Sequence, residues 1–413
     1  MTTADEAARR ILSRVHPLVP SRRPLTECRG LVLAEDVRAS IDVPPWDNSA
    51  MDGYAARGAD LQAGATLRVI EVVAAGRFPT RTVGPGEATR LFTGAPVPTG
   101  ADTVIRQEDT TAGDGSVRIV VPPQQGRNVR KRGEDLPKGS TALARGTELT
   151  AARLGVLASV GEAEPLVHPA PRVALLATGD EVVALDRRAE ILAGEKIASS
   201  NSYALSAAIR DAGGIPLDLG IAPDSTDAVK TRLAAGSDVD LIITTAGVSV
   251  GDHDLVREAI TALGGAIEFS RVRIRPGGPL NFGSLQGVPW IGLPGNPVSS
   301  LVTFELFARP AIRRLAGQAL PFRRTIPVVT AEALSLGPEL RHFLRVTLTR
   351  EPHAADGRPR AHLTGSQSSG VLSSMAKADA LLIIPEDRRE VPAGASLQAL
   401  VLDDPVHVAE PAF

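Results

Sequence analysis

Residues 240–255 read DLIITTAGVSVGDHDL, and this stretch decides the fold. Asp240 to Thr245 reads as a strand. Gly247 and Gly251 open the chain after it. Leu255 to Leu263 then has helical periodicity, stopped by Gly264-Gly265. Strand, polar loop and helix make one unit of an α/β sheet. The unit recurs upstream, where strand-like Val173–Ala177 meets the turn Thr178-Gly179-Asp180-Glu181. A helix from about Ser202 to Ala212 follows, stopped by Gly213-Gly214, then strand Leu217–Ile221 and helix Ala228–Ala234. The alternation predicts a doubly wound α/β domain over 171–318.

The flanks differ in texture. Ala4 to Val15 reads as an amphipathic helix with Ile11, Leu12 and Val15 on one face, followed by a strand-like stretch from Leu31 to Val37. Residues 46–135 are rich in Gly, Pro and Thr, with alternating runs such as Leu67 to Val73 and Val117 to Val121, the pattern of a small β domain. Helical character returns at Ala151 to Val160. The expected division is therefore a discontinuous N-terminal domain of 1–45 plus 136–170, a β domain of 46–135, the α/β domain, and a C-terminal β domain of 324–413. In the last, Arg324–Val329, Arg345–Thr349 and Leu381–Ile384 read as strands. The length of 413 residues is in keeping with several domains, since single cores stop growing near roughly 250–300 residues.

Aromatic residues make up only 3% of the chain, so its cores must be built from Leu, Val, Ile and Ala. A formal charge of −2 gives no general attraction to nucleic acid or acidic lipid, so an anionic ligand needs a local basic cluster. Cys28 is the only cysteine, which excludes an intrachain disulfide, fits a reducing, cytoplasmic compartment, and reads as buried filler. No cleavable signal is visible, and no apolar run approaches the ~18 residues of a membrane span.

Three loops follow predicted strands, and ligands of open α/β sheets bind at the carboxyl ends of strands. Asp180 and Glu181 suit a metal or ribose contact, or simply start a helix. In the second loop, glycines and the acids Asp252 and Asp254 suit phosphate and Mg²⁺, and either acid alone also suits an N-cap. His253 reads as solvent-facing. In the third, Asn296 as N-cap and Pro297 at the first helical position open a helix whose free amides favour an anion. Ahead of it, Arg271, Arg273 and Arg275 would project to one face of a strand, toward solvent or an anion. The segments Asp47 to Tyr54, Thr93 to Pro98 and Asn128 to Asp135 read by composition as surface turns of mixed charge.

Six segments occur in one order: Asp47 to Tyr54, Thr93 to Pro98, Arg132-Gly133-Glu134-Asp135, the loops at Thr178 and Gly247, and Leu293 to Ser299. Together they closely resemble the molybdopterin molybdenumtransferases, which include the E domains of gephyrin and of the plant molybdenum insertase, over nearly the whole chain. The resemblance implies an elongated four-domain subunit, a homodimer, and a central domain of the molybdopterin-binding type. It implies an active cleft between that domain of one subunit and the β domain of the other. It further implies Mg²⁺-dependent insertion of molybdate into adenylylated molybdopterin with release of AMP. The adenylyltransferase that makes the substrate and the molybdoenzyme apoproteins become candidate partners.

Carried over by position, Asp52, Asp135, Asp180 and Asp254 would be catalytic, with Asp180, Asp252 and Asp254 as metal ligands. Thr93, Arg130, Glu181, Asn201, Ser249, Arg271, Arg275, Asn296, Ser299, Arg345 and Ser369 would hold substrate or oxyanion. Three positions depart from the family pattern: Gly278 stands where a lysine is common, Ala246 replaces a glycine, and Ser199 replaces an aspartate. Two rival readings are a molybdopterin adenylyltransferase, against which the extra domains argue, and a non-catalytic scaffold, against which the intact acidic loops argue.

Overall fold

The structure, a computed structural model, describes residues 1–236, 238–245, 254–337, 339–349 and 357–403. In it the strands Arg172–Thr178 and Leu241–Thr245 lie parallel and adjacent, with Val173 opposite Leu241. Ile215–Ala222 flanks the first and Val288–Leu293 the second, both parallel. Pro279–Leu285 and Ala266–Arg271 extend the sheet antiparallel, which makes six strands. Alternate side chains feed two cores. Val173, Leu175, Leu241, Ile243 and Ile291 pack on one face. Ala174, Leu176, Ile242 and Trp290 pack on the other with Val229, Leu233, Val256 and Ile260 of the covering helices. Burial on both faces is why Leu241–Thr245 carries a continuous apolar run rather than an alternating one. Trp290 is accommodated because its Nε1–H donates to Thr244 Oγ1 at 3.0 Å.

By contacts the chain divides into two compact units, one of Met1–Ser21, Gly30–Val32 and His168–Phe413, the other of Arg22–Arg29 and Leu33–Val167. The N-terminal helix, Ala4–Arg14, belongs to the first unit, whereas the sequence grouped it with 136–170. The reason is its apolar stripe: Ala7, Ile11 and Val15 are buried in the same core as Phe269, Phe282 and Phe307. Arg341 clamps the start of this helix to the C-terminal sheet through Asp5, at 2.7 and 3.1 Å. That sheet closes on itself. Arg341–Thr349 pairs with Arg360–Leu363 and Ala380–Ile384, and Thr325–Thr330 and Ser396–Val401 complete a ring of five strands. Val328, Leu344, Val346, Leu382 and Ala399 fill it. Closure leaves no long edge exposed.

In the second unit a six-stranded sheet runs in the order Thr103–Arg106, Gly53–Ala56, Glu87–Leu91, Thr66–Val73, Ser116–Ile119 and Thr110–Gly113. Tyr54, Leu67, Ile105 and Ile119 lie under one face, Ala55, Val73, Leu91 and Val104 under the other. The stretch expected as one strand from Leu31 to Val37 is instead two short ones, Val32–Leu33 and Val37–Arg38. Val37–Arg38 pairs with Thr141–Leu143. Cys28 is fully buried and unpaired. No helix among the described residues is long and apolar enough to cross a membrane.

Candidate functional site

The carboxyl ends of the parallel strands surround a cavity of about 740 Å³. Thr178, Glu181, Asn201, Thr245, Asn296 and Ser299 line it. Thr178 closes its strand 2% exposed, and its Oγ1 meets no partner within the protein. Gly179 follows at φ +140°, where a Cβ would come within 2.9 Å of Glu181 Oε2 and Val182 Cγ2. A side chain there would crowd the turn. Asn201 donates to Gly295 O at 2.8 Å and ties two walls together. Asn296 takes the N-cap position of Pro297–Thr303, as expected, but its exposed side chain makes no capping bond. Its amide is therefore available to a ligand.

Pro279, Asn296 and Ser299 also line a second cavity of about 630 Å³, between the sheet and the C-terminal barrel. Here Arg345 is 0% exposed. Its Nε donates to Ser374 Oγ, and its Nη2 to the carbonyls of Ser366 and Ser368, each at 3.1 Å. Its Nη1 is buried without a partner. Gln367 brackets the same residue, accepting from the Arg345 amide at 2.9 Å and donating to its carbonyl at 3.1 Å. Burial with no carboxylate beside it pushes the guanidinium below its usual pKa, yet arginine keeps its proton. Arg275, His342, Ser368 and Ser369 share the cavity, and no described acid lines it. A buried cation without a counter-ion is costly unless an anion joins it. Gly277 completes the wall at φ +99°, where a Cβ would stand 2.3 Å from Thr303 Cγ2.

The three arginines before this wall do not share a strand face, which corrects the expectation. Arg271 ends a strand of the α/β sheet opposite Pro279, whereas Arg275 pairs with His342 in the barrel sheet. The chain turns between them, with the Ile274 amide donating to Val272 O at 2.9 Å. Arg273 is used on Glu339 O at 3.1 Å, and Arg271 is exposed and lines neither cavity.

Acidic residues gather at the outer strand ends. Asp180 and Asp224 exchange bonds: the Asp224 amide donates to Asp180 Oδ1 at 3.0 Å and the Asp180 amide to Asp224 Oδ2 at 3.4 Å. Sequence reasoning missed Asp224, although it follows a strand end just as Asp180 does. Asp254 is 4% exposed and caps helix Leu255–Ala262. Both its oxygens accept, from the Arg257 amide and from Asn281 Nδ2, each at 2.9 Å. This is the capping alternative. Ser249, Asp252 and His253 lie outside the described residues. Among those described, no group of three or more potential ligands forms a ready metal site.

In the second unit three separated segments converge. Asn48 pairs with Arg130 across two short strands, and the Gly94 amide donates to Ser49 O at 2.8 Å. Asp52 Oδ1 accepts from the Thr93 amide at 2.7 Å and its hydroxyl at 2.8 Å. These two bonds, backbone first, hold the Asp52 carboxyl below the usual range. Asp47 is held by Lys131 at 2.8 Å and by the Arg132 amide at 2.8 Å, which outweigh the upward push of burial. Asp42 takes the Lys138 amide and the Arg132 side chain. Arg130 and Asp135 are exposed beside them. Surface ion pairs are thus part of the answer, but they order a loop cluster that presents Asp52, Thr93 and Arg130.

The site thus joins a mainly parallel α/β sheet, with acidic and glycine loops at its carboxyl ends, to a cation-lined basin. Residues 2–161 match the MoeA N-terminal region (domain I and II), 174–314 a probable molybdopterin binding domain, and 327–402 the MoeA C-terminal region (domain IV). Molybdopterin molybdenumtransferase 2 of Mycobacterium tuberculosis is 39% identical, with 96% of this chain and 99% of that protein covered. The molybdopterin molybdenumtransferase of a Nostoc species is 36% identical, with 92% and 88% covered. The crystal structure of the molybdopterin biosynthesis moeA protein from Pyrococcus horikoshii superposes with a TM-score of 0.78 at 27% identity, covering 97% of this chain and 100% of that one. The chain belongs to the molybdopterin molybdenumtransferase family.

Proposed function

We propose that this enzyme inserts molybdate into adenylylated molybdopterin, releasing AMP and giving Mo-molybdopterin. The observation that carries the reading is Arg345, a fully buried guanidinium with an unpaired Nη1 on the wall of a cavity that no described acid lines. With Arg275, Ser299 and Ser369 it forms a basin suited to a tetrahedral oxyanion. Molybdate held there would meet the dithiolene of the pterin, whose two thiols would displace one oxygen of the metal, their two protons leaving with it as water. The adjoining cavity of Thr178, Glu181, Asn201 and Asn296 would take the phosphates. Its unpaired Thr178 hydroxyl and free Asn296 amide are donors for phosphate oxygens. The name of the relatives favours insertion over adenylylation.

Mg²⁺ fits the acidic end. It takes one or two carboxylates with substrate phosphate oxygens, and Asp180 with Asp224 supplies two at adjacent strand ends. Bound there it would neutralise charge building on the leaving phosphate. Asp254 would join only by releasing its cap. Asp52, Thr93, Arg130 and Asp135 complete the proposal in the second unit, as do the four-domain division, the homodimer and a cytoplasmic setting. Equilibrium dialysis against molybdate tests the basin. The wild type binds, and Arg345→Met weakens binding on the order of 10²-fold; equal binding by the two proteins would refute the assignment.

A further inference from the structure

Arg90 lies in strand Glu87–Leu91 of the second unit, opposite Tyr54 of Gly53–Ala56. Cross-strand partners share a face. The guanidinium accordingly stands over the buried Tyr54 ring, 4.8 Å from its centroid, and the Phe92 ring meets it at 5.3 Å. Its Nη2 donates to Gln107 Oε1 at 2.5 Å. All three contacts fall beside the Asp52–Thr93 pair. Tyr54 comes two residues after Asp52, Phe92 comes one before Thr93, and the Gln107 amide donates to the Asp52 carbonyl at 3.0 Å. One guanidinium thus ties together the three segments that shape this corner. Its Nη1 is buried without a partner. A buried donor left unmet costs stability, so packing alone is a poor reason for an arginine here.

The Asp52 carboxylate lies within reach of that charge. Its Oδ1 takes both Thr93 bonds, which leaves Oδ2 outside them. The Thr93 amide and then its hydroxyl lower the carboxyl pKa, desolvation opposes them, and Arg90 adds a further lowering by charge. On the other flank Arg106 faces Gly53 but is spent on Asp109 at 2.7 Å. Glu108 accepts from Gln107 Nε2 at 3.2 Å. We propose that Arg90 is a positioning residue for the insertion reaction: clamped by Tyr54, Phe92 and Gln107, it holds Asp52 and Thr93 in one geometry so that Asp52 Oδ2 faces the substrate as an acceptor. Arg90 acts through Asp52 and does not touch the substrate. The inference rests on the reading that Asp52 takes part in the reaction.

The test is AMP release from adenylylated molybdopterin by the full chain, followed against pH and substrate concentration. Arg90→Gln lowers kcat on the order of 10-fold to 10²-fold with KM little changed, since a misplaced reacting group costs rate. Loss of the positive charge raises the Asp52 carboxyl, so the acid limb moves to higher pH. Arg90→Lys keeps the charge but not the planar fork; it leaves the acid limb in place and keeps kcat below wild type. In an Asp52→Asn background, Arg90→Gln costs less than about twofold more, because residues that act as a unit are not additive. Arg68→Gln, in an exposed pair with Glu87 on the same sheet, leaves kcat and the acid limb unchanged. Wild-type kcat and acid limb in Arg90→Gln, or losses that add fully in the double variant, would overturn the positioning role alone. Should Arg90→Gln melt below the assay temperature, Arg90→Lys decides, and a wild-type kcat there would overturn the clamp. Wild-type AMP release by Asp52→Asn would overturn the reading beneath it as well.

Discussion

Arg345 is where burial and charge conflict most openly. A protein selected for stability alone would place an apolar side chain there, since replacing buried charge by packed hydrocarbon is often neutral or stabilising. Arg345→Met should therefore leave the thermal midpoint within a few degrees while lowering insertion activity on the order of 10²-fold. Calorimetry and an AMP-release assay on one preparation separate the two effects. Gly277 makes the complementary case. Its φ of +99° and the 2.3 Å approach to Thr303 Cγ2 leave no room for a Cβ. Gly277→Ala should cost about 1–3 kcal/mol in urea unfolding and deform the basin. Asp52 supplies the pH dependence. Its pKa is lowered in the folded protein by the Thr93 amide and hydroxyl. A lowered carboxyl contributes stability that is complete above its unfolded value and is lost as pH falls through the folded one. Thr93→Val removes the hydroxyl, so the Asp52 titration followed by NMR should move up toward the ordinary range, and the acid limb of activity should move with it.

Elements explain why some residues were legible and others were not. The apolar run at Leu241–Thr245 and the glycine stops placed the strands and helices of the sheet closely, because burial on two faces leaves a plain signature. The loops at strand ends followed from that, including the positions of Glu181, Asn296 and Ser299. The arginine row failed because period-two reasoning assumes one continuous strand, and the chain passes from one sheet to another between Arg271 and Arg275. Barrel closure was equally hidden, since it depends on pairing between distant strands such as Arg341–Thr349 and Ala380–Ile384. Asp254 shows a different limit: an aspartate before a helix suits a cap and a metal alike. Asp254→Ala should cost about 0.5–2 kcal/mol by loss of the cap. Asp254→Ser keeps a capping oxygen, so it should recover most of that stability. Activity that stays lost in the stable serine variant would assign the carboxylate a second task in the reaction.

At the scale of the whole molecule, charge is distributed along a path rather than over a surface. The net of −2 hides an acid-lined cavity, a central cavity and a basin that no described acid lines, in a row. The second unit adds a loop cluster ordered by Asp47, Asp42 and Glu134, from which Asp52 and Arg130 are presented. That convergence could not be read from spacing, because segments near 48, 94 and 130 meet only through the fold of the sheet. The central claim is the insertion reaction, and it is tested most directly by anaerobic incubation of the full chain with adenylylated molybdopterin, MgCl₂ and molybdate. The account predicts AMP above the protein-free control, released in step with molybdenum on the pterin, and a loss on the order of 10²-fold in Arg345→Met. No AMP above that control would contradict it.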